Sequence, residues 1–395
     1  MIQSAAMLEV GQLRRAASGR KLLLIQPQAE NAGAQEIARL LVGALSARGY
    51  VAHQLFFYRK TDAFDGHPDV VICAPARPAG LVGLARLFLR LVREIRRERP
   101  DVVLCFQHYG NVVGGPAAWL AGVRDIVANQ NSTPDQTPAK VRILDRIAGS
   151  LGIYRRIVVN SHDSAKHFAD YPGSYRRRVV HIDHGFADKT SALTKAQARS
   201  RYGLPDEAQL LGCVSRVHPL KNIGAAVALL GQDPHWHLAI AGQGPDRQRL
   251  ETLARAEGWD ERLHFVGELT PVEVGDFLAA LDVFVFPSIS ETFGLAAIEA
   301  AQVGVPVVAN RLPVLEEILA VEGEPCALFV DADDPLALAA AVRRCLDEPD
   351  LVAAMTARSR RLAARFPLDS MVDGYDDLIR GLDAPPGPSR RAVPA

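Results

Sequence analysis

Short apolar runs alternate with longer amphipathic stretches along the first half of the chain. Lys21–Gln26, Asp101–Phe106 and Arg156–Val159 are brief and rich in Val, Leu and Ile. Runs that are apolar on both faces are typical of strands in parallel sheets. The stretch Ala34–Arg48 has apolar residues at helical spacing and is followed by Gly49, a residue that commonly ends a helix. This alternation predicts an α/β fold with a parallel sheet covered by helices.

The alternation breaks once and then resumes. Residues 188–204 are polar and helical only in their middle, and a new apolar run begins at Leu210–Ser215. Further strands are predicted at 237–241, 263–266, 283–286 and 306–309. We therefore predict two doubly wound, Rossmann-like domains, residues 1–187 and 188–367, which face each other across a cleft. The Pro-rich tail 384–395 is predicted to be disordered.

Composition narrows the class of protein. The chain has 395 residues, which favours two domains, and its 45 basic and 45 acidic residues balance, so no bulk charge points to nucleic acid. Five scattered cysteines without a Cys-x-x-Cys pair indicate neither a zinc site nor a disulfide framework. No run of 18 apolar residues occurs and no export signal is visible. We expect a cytoplasmic protein.

The most informative stretch is 283–299. An apolar strand over 283–286 is stopped by Pro287, and a helix is predicted to begin near Phe293–Gly294, with Ser288, Ser290 and Thr292 as candidate caps. Glu291 and Glu299 bracket this turn. Eight helical steps return to within about 80° of the starting direction, so both carboxylates can line one crevice at the carboxyl edge of the sheet. Carboxylates are suited to binding vicinal hydroxyls, because they accept hydrogen bonds and donate none. The alternative is that Glu291 is only a charge at the helix start and that Glu299 is a solvated residue.

Two cations follow the first strand of the second domain. Arg216 and Lys221 lie five residues apart around a turn, where they could clamp a diphosphate, unless they are simply solvated surface bases. The turn Gly242-Gln-Gly244-Pro245 makes a poor dinucleotide fingerprint, because Arg247 stands where a third glycine would fall. We interpret it as a tight turn beside the cleft.

The first domain offers fewer candidates. Gly33 opens the first helix, so nearby backbone amides could approach a phosphate or a sugar. His108 follows the strand 101–106 at the sheet edge, although a lone histidine is more often packed or solvated. Asp331-Ala-Asp333 has a spacing that can bind a divalent ion, but Asp334-Pro335 precedes a predicted helix and favours capping instead. We expect no metal.

Together these residues resemble the GT-B glycosyltransferases of family GT4, a retaining, nucleotide-sugar-dependent group. The resemblance is strongest over 210–312, where the glutamate pair, the two cations, the glycine turn and Phe265-Val-Gly267 follow the family order. Two departures fall in the first half: Gln130-Asn131 stands where a His is frequent, and His184-Gly185 stands where Asn-Gly is common. The segment from Phe366 resembles the family's C-terminal helix, which implies a helix at about 368–382 that packs back on the first domain.

The resemblance also implies roles for individual residues. Arg216 and Lys221 would neutralise the diphosphate without a metal, and Glu299 would hold the ribose hydroxyls. Glu291 and the amides of Phe293, Gly294 and Leu295 would hold the donor sugar. Leu269, in the loop 267–269, would meet the base through its backbone. Gly33 would close over the phosphates, and His108 would contact the sugar or acceptor.

The implied activity is transfer of a sugar from a UDP- or GDP-linked donor to a hydroxyl of a glycan, glycolipid or small molecule, in cell-surface polysaccharide or glycoconjugate synthesis. The alternatives are a nucleotide-sugar epimerase or hydrolase of the same fold, and a non-catalytic partner subunit. In helix 84–99 one face is apolar, formed by Leu84, Leu87, Phe88, Leu91, Val92 and Ile95, and the rest is covered by Arg86, Arg90, Arg93, Arg96 and Arg97. It is either a sheet-covering helix with a solvated basic face or a peripheral contact with the inner face of a membrane.

Overall fold

The structure is a computed structural model that describes residues 19–383 of the 395-residue chain. The predicted tail 384–395 lies outside the described residues. Contacts divide the chain into two compact units. The first comprises the chain up to Glu30, Ala34–Gly185 and the segment from Leu368 onward, and the second comprises Asn31–Gly33 and Phe186–Pro367.

The first unit is built on a seven-stranded sheet whose strand order is β3-β2-β1-β4-β5-β6-β7, with every neighbouring pair parallel. Its strands are β1 (Lys21–Ala29), β2 (Val51–Arg59), β3 (Val70–Ile72), β4 (Val102–Phe106), β5 (Asp125–Gln130), β6 (Arg156–Val159) and β7 (Val179–His181). Every residue of β4 is buried, which matches its unbroken apolar sequence.

Helices cover both faces of this sheet. They are α1 (Gly33–Ala47), α2 (Gly80–Glu98), α3 (Gln107–Tyr109), α4 (Gly115–Ala121), α5 (Ala139–Leu151), α6 (His162–Lys166) and α7 (Gly173–Arg176). The chain moves across the sheet in one direction from β1 to β3 and in the opposite direction afterwards. Because parallel crossovers are right-handed, α2, α4, α5 and α7 belong to one face and α1 to the other. Leu91, Ala118, Ala148 and Tyr175 from the first group accordingly share one core cluster.

A C-terminal helix, α17 (Leu368–Arg380), belongs to the first unit although it follows the whole second unit in sequence. The Tyr375 hydroxyl donates to Asn129 Oδ1 at 2.6 Å, and the Tyr50 hydroxyl donates to Asp376 Oδ1 at 2.6 Å. Both bonds are buried, so they fix the helix against the sheet more firmly than surface pairs would.

The second unit has a six-stranded parallel sheet in the order β10-β9-β8-β11-β12-β15. Its strands are β8 (Gln209–Val214), β9 (Trp236–Ala241), β10 (Leu263–Gly267), β11 (Val283–Phe286), β12 (Val307–Asn310) and β15 (Leu328–Val330); β13 (Ala320–Val321) and β14 (Glu324–Pro325) form a small hairpin. The sequence pattern did not predict β15, because this edge strand has only three residues and is half-buried throughout.

The helices of the second unit are α8 (Lys195–Tyr202), α9 (Ile223–Ala228), α10 (Arg247–Ala256), α11 (Glu273–Ala279), α12 (Leu295–Gln302), α13 (Pro313–Ile318), α14 (Pro335–Asp347), α15 (Pro349–Ser359) and α16 (Leu362–Arg365). The five cysteines are buried and unpaired. Among residues 19–383, no helix has the length and apolar character that crossing a bilayer requires.

Candidate functional site

The glycine turn after β9 supports the segment that carries Arg216. A Cβ on Gly242 would lie 1.9 Å from the Ser215 carbonyl oxygen, and one on Gly244 would lie 2.1 Å from the Val217 carbonyl oxygen. Any side chain at these two positions would therefore collide with backbone. The Val217 amide donates to the Gln243 carbonyl at 2.8 Å, which closes the contact. The turn holds the backbone around Arg216 in place, in agreement with its interpretation as a tight turn.

Lys221 and Glu291 form the central ion pair of the second unit. The Lys221 ammonium lies 2.5 Å from Glu291 Oε1, and their side chains are only 19% and 11% exposed. The backbone brings them together. The Ile289 amide donates to the Leu220 carbonyl at 3.1 Å, and the Ser288 hydroxyl donates to the same carbonyl at 3.2 Å. The strand-end loop is thereby bound to the segment that presents Lys221.

Helix α12 begins one residue later than predicted and has a different cap. Gly294, at φ +84°, occupies the N-cap position before Leu295, the first helical residue, and as a glycine it provides no side-chain cap. Ser288 instead bonds to Leu220, so its predicted role as a cap was wrong. A Cβ on Gly294 would also lie 2.6 Å from Leu315 Cδ2, so both conformation and space require glycine here. Phe293 is buried, with its ring 5.3 Å from that of Phe366. Its side chain therefore serves the core.

Glu299 is buried on α12, and its neighbour is a lysine that the sequence analysis missed. Glu299 is 6% exposed and Lys189 is 8% exposed, and Lys189 Nζ lies 3.8 Å from Glu299 Oε1. Lys189 Nζ also donates to the Pro271 carbonyl at 2.8 Å. Two almost fully buried opposite charges compensate each other, whereas either one alone would be costly. Lys189 stands in the polar stretch 188–204 with no motif around it, so the sequence carried no signal for this contact.

The remaining candidates of the second unit lie in two loops. Gly267 ends β10 at φ +86° and accepts a hydrogen bond from the Gly242 amide at 2.7 Å, and half-buried Leu269 follows two residues later. Glu268 Oε1 accepts a hydrogen bond from the Asn31 amide at 2.9 Å. The division into units groups Asn31–Gly33 with this part of the chain. Exposed Gly33 is the first residue of α1.

His108 lies at the carboxyl edge of the first unit's sheet. It follows Gln107, which has a left-handed backbone at φ +63°, a strained conformation for a side chain of this kind. His108 Nδ1 is 3.1 Å from the Ser132 hydroxyl, and burial lowers the pKa of the imidazole. The ring is therefore neutral at physiological pH and able to accept or donate one hydrogen bond.

The two departures from the family pattern contact each other. Asn131 Nδ2 lies 3.2 Å from His184 Nε2, and Asn160 Nδ2 lies 2.9 Å from the same nitrogen. Burial lowers the pKa of His184 to about 4, so the ring is neutral, and the two neighbouring amide NH₂ groups favour the tautomer in which Nε2 is the acceptor. The histidine and the asparagine expected at these positions have in effect exchanged places. One imidazole and one carboxamide are retained at the strand ends.

The acidic cluster at 331–334 is structural. Asp334 caps α14 by accepting hydrogen bonds from the Leu336 and Ala337 amides, both at 3.0 Å. Asp333 Oδ1 accepts a hydrogen bond from Asn222 Nδ2 at 3.0 Å. Within residues 19–383 there is no group of three or more His, Cys, Asp or Glu side chains with an arrangement that could hold a metal ion.

Two family models match the chain, one in each half. The model "Glycosyltransferase Family 4" matches residues 32–190, and "Glycosyl transferases group 1" matches residues 194–362. Together they span most of the sequence. The D-inositol 3-phosphate glycosyltransferase of Geodermatophilus obscurus is 33% identical over 257 residues, which cover 60% of this chain and 55% of that protein.

A second relative is the lipopolysaccharide core biosynthesis mannosyltransferase LpsB of Rhizobium meliloti. It is 32% identical over 201 residues, which cover 47% of this chain and 56% of LpsB. The chain thus spans little more than half the length of these two relatives.

Solved structures agree on the fold. Anabaena Alr3699/HepE in complex with UDP and glucose has a TM-score of 0.78 at 19% identity, covering 91% of this chain and 99% of that one. WaaG, a glycosyltransferase involved in lipopolysaccharide biosynthesis, has a TM-score of 0.74 at 17% identity, covering 91% and 100%. The two parallel-sheet units therefore define a GT-B fold protein. With both family models matched, the chain belongs to the GT4-like glycosyltransferases.

Proposed function

We propose that this chain is a retaining glycosyltransferase that transfers a sugar from a nucleotide-diphosphate sugar to a hydroxyl acceptor. The observation that carries the proposal is the Lys221–Glu291 pair, held by hydrogen bonds from the Ser288 hydroxyl and the Ile289 amide to the Leu220 carbonyl. A lysine has three N–H donors, so its bond to Glu291 leaves capacity for a phosphate oxygen. Glu291 can at the same time accept hydrogen bonds from sugar hydroxyls.

Catalysis in this proposal is mainly electrostatic. Negative charge develops on the leaving diphosphate, where Arg216 and Lys221 neutralise it in a partly buried setting that strengthens each interaction. These two cations supply the charge that a metal ion supplies elsewhere. Glu299 holds the ribose hydroxyls, while Leu269 contacts the base and Gly33 the phosphates through their backbones. We propose that the acceptor attacks on the face of the leaving group, and that a diphosphate oxygen takes its proton, which retains the anomeric configuration.

We propose that residues of the first unit bind the acceptor. His108, with its lowered pKa, would contact the sugar or the acceptor as a neutral imidazole. The relatives' names point to sugar-like acceptors, since one is named for D-inositol 3-phosphate and another for lipopolysaccharide core biosynthesis. We propose a glycan, glycolipid or small-molecule hydroxyl as acceptor, in cell-surface glycoconjugate synthesis at the cytoplasmic face of the membrane.

A donor screen tests the proposal directly. Thermal unfolding should be followed with uridine, guanosine and adenosine diphosphates and their sugars, because a ligand at 100 times its Kd adds about 2.7 kcal/mol to the free energy of unfolding. We expect one base to raise the melting temperature, with the uridine series first, because HepE was solved in complex with UDP and glucose. The same shift should persist when divalent cations are chelated.

Two results would contradict the proposal. One is the absence of any shift with all three bases, which would remove the donor site. The other is consumption of the donor at full rate, without any acceptor, to a free or an epimerised sugar, which would identify a hydrolase or an epimerase of the same fold.

Helix α2 supports a peripheral membrane contact. Its buried residues are Leu87, Leu91, Val92 and Ile95, and its exposed side carries Arg86, Arg90, Arg93, Arg96 and Arg97. Leu84, predicted for the buried face, is instead 52% exposed. A row of arginines is attracted to anionic lipid at long range, and this attraction weakens with salt.

Neutralising that row should weaken vesicle binding at low salt. Changing Arg86, Arg93 and Arg97 to Gln removes three surface charges, each contributing about 1 kcal/mol near an anionic bilayer. We expect roughly a 100-fold lower partition coefficient in sedimentation with anionic vesicles, and no change with zwitterionic ones. If the wild-type chain does not sediment with anionic vesicles at low salt, this contact does not exist.

A further inference from the structure

Helix α5 exposes its large apolar side chains and buries its small ones. Its exposed residues include Ile143, Leu144, Ile147 and Leu151, which form one stripe at helical spacing and are between 48% and 76% exposed. Its buried residues are Val141, Asp145, Ala148 and Gly149. An amphipathic helix in a folded domain ordinarily does the reverse, since its apolar stripe faces the core.

The inner face of α5 is fixed by specific contacts. The Tyr175 hydroxyl donates to Asp145 Oδ2 at 2.7 Å, and Gln130 Nε2 donates to the same carboxylate at 3.1 Å. A Cβ on Gly149 would lie 2.4 Å from the Tyr175 ring, so the tyrosine packs directly on the helix backbone. The fold therefore already determines which side of α5 faces inward. The outer stripe contributes nothing to this packing, and its composition needs another explanation.

The charges around the stripe are positive. Lys140, Arg142 and Arg146 lie on α5, and Asp145, the single acid of the helix, is buried on the inner face. Arg178 lies at the C-terminal end of α5, where its guanidinium nitrogen would be 3.0 Å from a Cβ on Gly152. Burial and the charges of Arg156, Arg155 and Arg177 all lower the pKa of Arg178, as expected where several guanidinium groups cluster.

The neighbouring helices of the same layer continue this surface. Arg96 of α2 donates to the Leu120 carbonyl of α4 at 3.0 Å, and the Arg124 guanidinium lies 5.0 Å from the centre of the Trp119 ring. Most of the large apolar side chains exposed within residues 19–383 belong to α2, α4 and α5; they are Leu81, Val82, Leu84, Leu89, Trp119, Leu120, Ile143, Leu144, Ile147 and Leu151. The outer face of this layer is thus apolar and basic, with a tryptophan among the arginines.

Charge decides what covers this surface. A second copy of the chain would bring Lys140, Arg142 and Arg146 against the same residues of its partner, and like charges at a symmetric interface repel. An anionic bilayer complements both properties, because it offers negative headgroups at its surface and acyl chains beneath them. Apolar residues flanked by Lys and Arg, with Trp at the boundary, are typical of helices that lie in a membrane interface.

We propose that α5 is an insertion helix, whose stripe Ile143–Leu144–Ile147–Leu151 enters the headgroup boundary of an anionic bilayer while the surrounding bases bind lipid phosphates. This differs from the contact assigned to α2, which is electrostatic and acts at a distance. Membrane insertion by α5 does not depend on the transferase activity. Its consequence, that the acceptor is a lipid-anchored hydroxyl compound presented at the membrane, rests on the proposed function.

The first test removes the stripe and leaves the charges in place. The variant Ile143→Ser/Leu144→Ser/Ile147→Ser should fold normally, since all three side chains are about half exposed or more. In flotation with vesicles of equal parts phosphatidylglycerol and phosphatidylcholine, we expect its partition coefficient to fall roughly 100-fold. The matched control, Val272→Ser/Leu336→Ser, removes apolar residues that are 82% and 71% exposed in the second unit, and it should bind like wild type.

High salt separates the two membrane contacts. The α2 arginine variant should lose binding at low salt and match wild type at high salt, because the vesicle binding that persists at high salt comes from insertion of α5. The α5 stripe variant should lose the binding that survives high salt. Equal binding of the stripe variant and the wild type at high salt would overturn the proposal.

A spectroscopic test reports insertion itself. The five native cysteines are buried, so a single exposed cysteine can be labelled selectively. A polarity-sensitive fluorophore on Ile147→Cys should shift to shorter wavelength with the anionic vesicles, whereas the same label on Leu336→Cys should not. No shift at position 147 while the protein is vesicle-bound would show that α5 stays outside the bilayer.

Two further outcomes would also contradict the proposal. Light scattering that shows a dimer for wild type and a monomer for the stripe variant would assign the stripe to a second copy. Failure to float with the vesicles, together with stripe-dependent capture by an acidic protein, would assign it to a soluble partner.

The transferase proposal can be tested independently of the membrane proposal. Donor-induced stabilisation and turnover on a soluble acceptor should be the same in the stripe variant and wild type, and only turnover on a vesicle-embedded acceptor should fall. If wild type floats but no nucleotide raises its melting temperature, the proposed function is wrong and the membrane surface is retained.

Discussion

Replacing Lys221 with methionine should lower turnover by about 100- to 1,000-fold, the usual effect of removing one charged donor from a developing negative charge. Lys221 Nζ lies 2.5 Å from Glu291 Oε1, and the carboxylate is only 11% exposed. The change therefore removes a cation from the proposed diphosphate site and leaves Glu291 partly buried without its partner. Steady-state kinetics with saturating donor measures the first effect, and thermal unfolding measures the second.

A matched lysine separates the chemistry from the loss of an ion pair. Lys195 Nζ pairs with Asp282 at 2.7 Å in the same unit, but its side chain is 51% exposed and Arg199 also binds that carboxylate. Lys195→Met should keep wild-type turnover. The double variant Lys221→Met/Glu291→Gln should recover stability without recovering activity. Near-wild-type turnover in Lys221→Met would remove Lys221 from the donor site.

Replacing Glu299 with alanine should raise the dissociation constant of the nucleoside diphosphate roughly 100-fold or more. Each hydrogen bond to a charged group contributes about 1.5–3 kcal/mol, and a ribose offers two vicinal hydroxyls. Isothermal titration with the nucleotide measures the loss directly. Because Glu299 is buried beside Lys189, some stability should be lost as well, and circular dichroism should show that the fold remains.

Two controls make this result specific. Glu316→Ala removes a carboxylate of the same unit that is 41% exposed and paired with Arg311, and it should bind nucleotide normally. Lys189→Met should weaken nucleotide binding less than Glu299→Ala, since Lys189 acts by positioning the carboxylate. Unchanged nucleotide affinity in Glu299→Ala would exclude Glu299 as the ribose ligand.

Local sequence pattern was sufficient to predict the structure around the candidate residues that lie in one stretch. The strand 283–286, the stop at Pro287 and a helix carrying Glu299 follow from apolar runs and helix formers, and the structure places α12 at Leu295–Gln302. The glycine turn at 242–244 was also interpretable, because close backbone approach leaves few residues other than glycine. These features depend on residues that are close in sequence, so they can be predicted from the sequence alone.

The caps and partners were harder to predict. Ser288 has the composition of a helix cap, yet its hydroxyl bonds to the Leu220 carbonyl, far away in sequence. Lys189 is one of several charged residues in a polar stretch, and only the packing of α12 selects it as the neighbour of Glu299. A polar side chain bonds to whatever the fold brings near it, so its sequence context does not reveal its partner.

By itself the sequence determined the two alternating α/β units, the approximate bounds of their strands and the turns that carry the proposed donor-side residues, because periodicity and turn chemistry act over a few residues. Tertiary structure alone decided that Asn131 meets His184 and that α5 turns its apolar stripe outward. Periodicity groups residues on one face of a helix, but which face is buried depends on the side chains against which the helix packs in the folded protein. Here Tyr175 and Gln130 bond to Asp145, and their hydrogen bonds hold the side of α5 that carries Asp145 against the core.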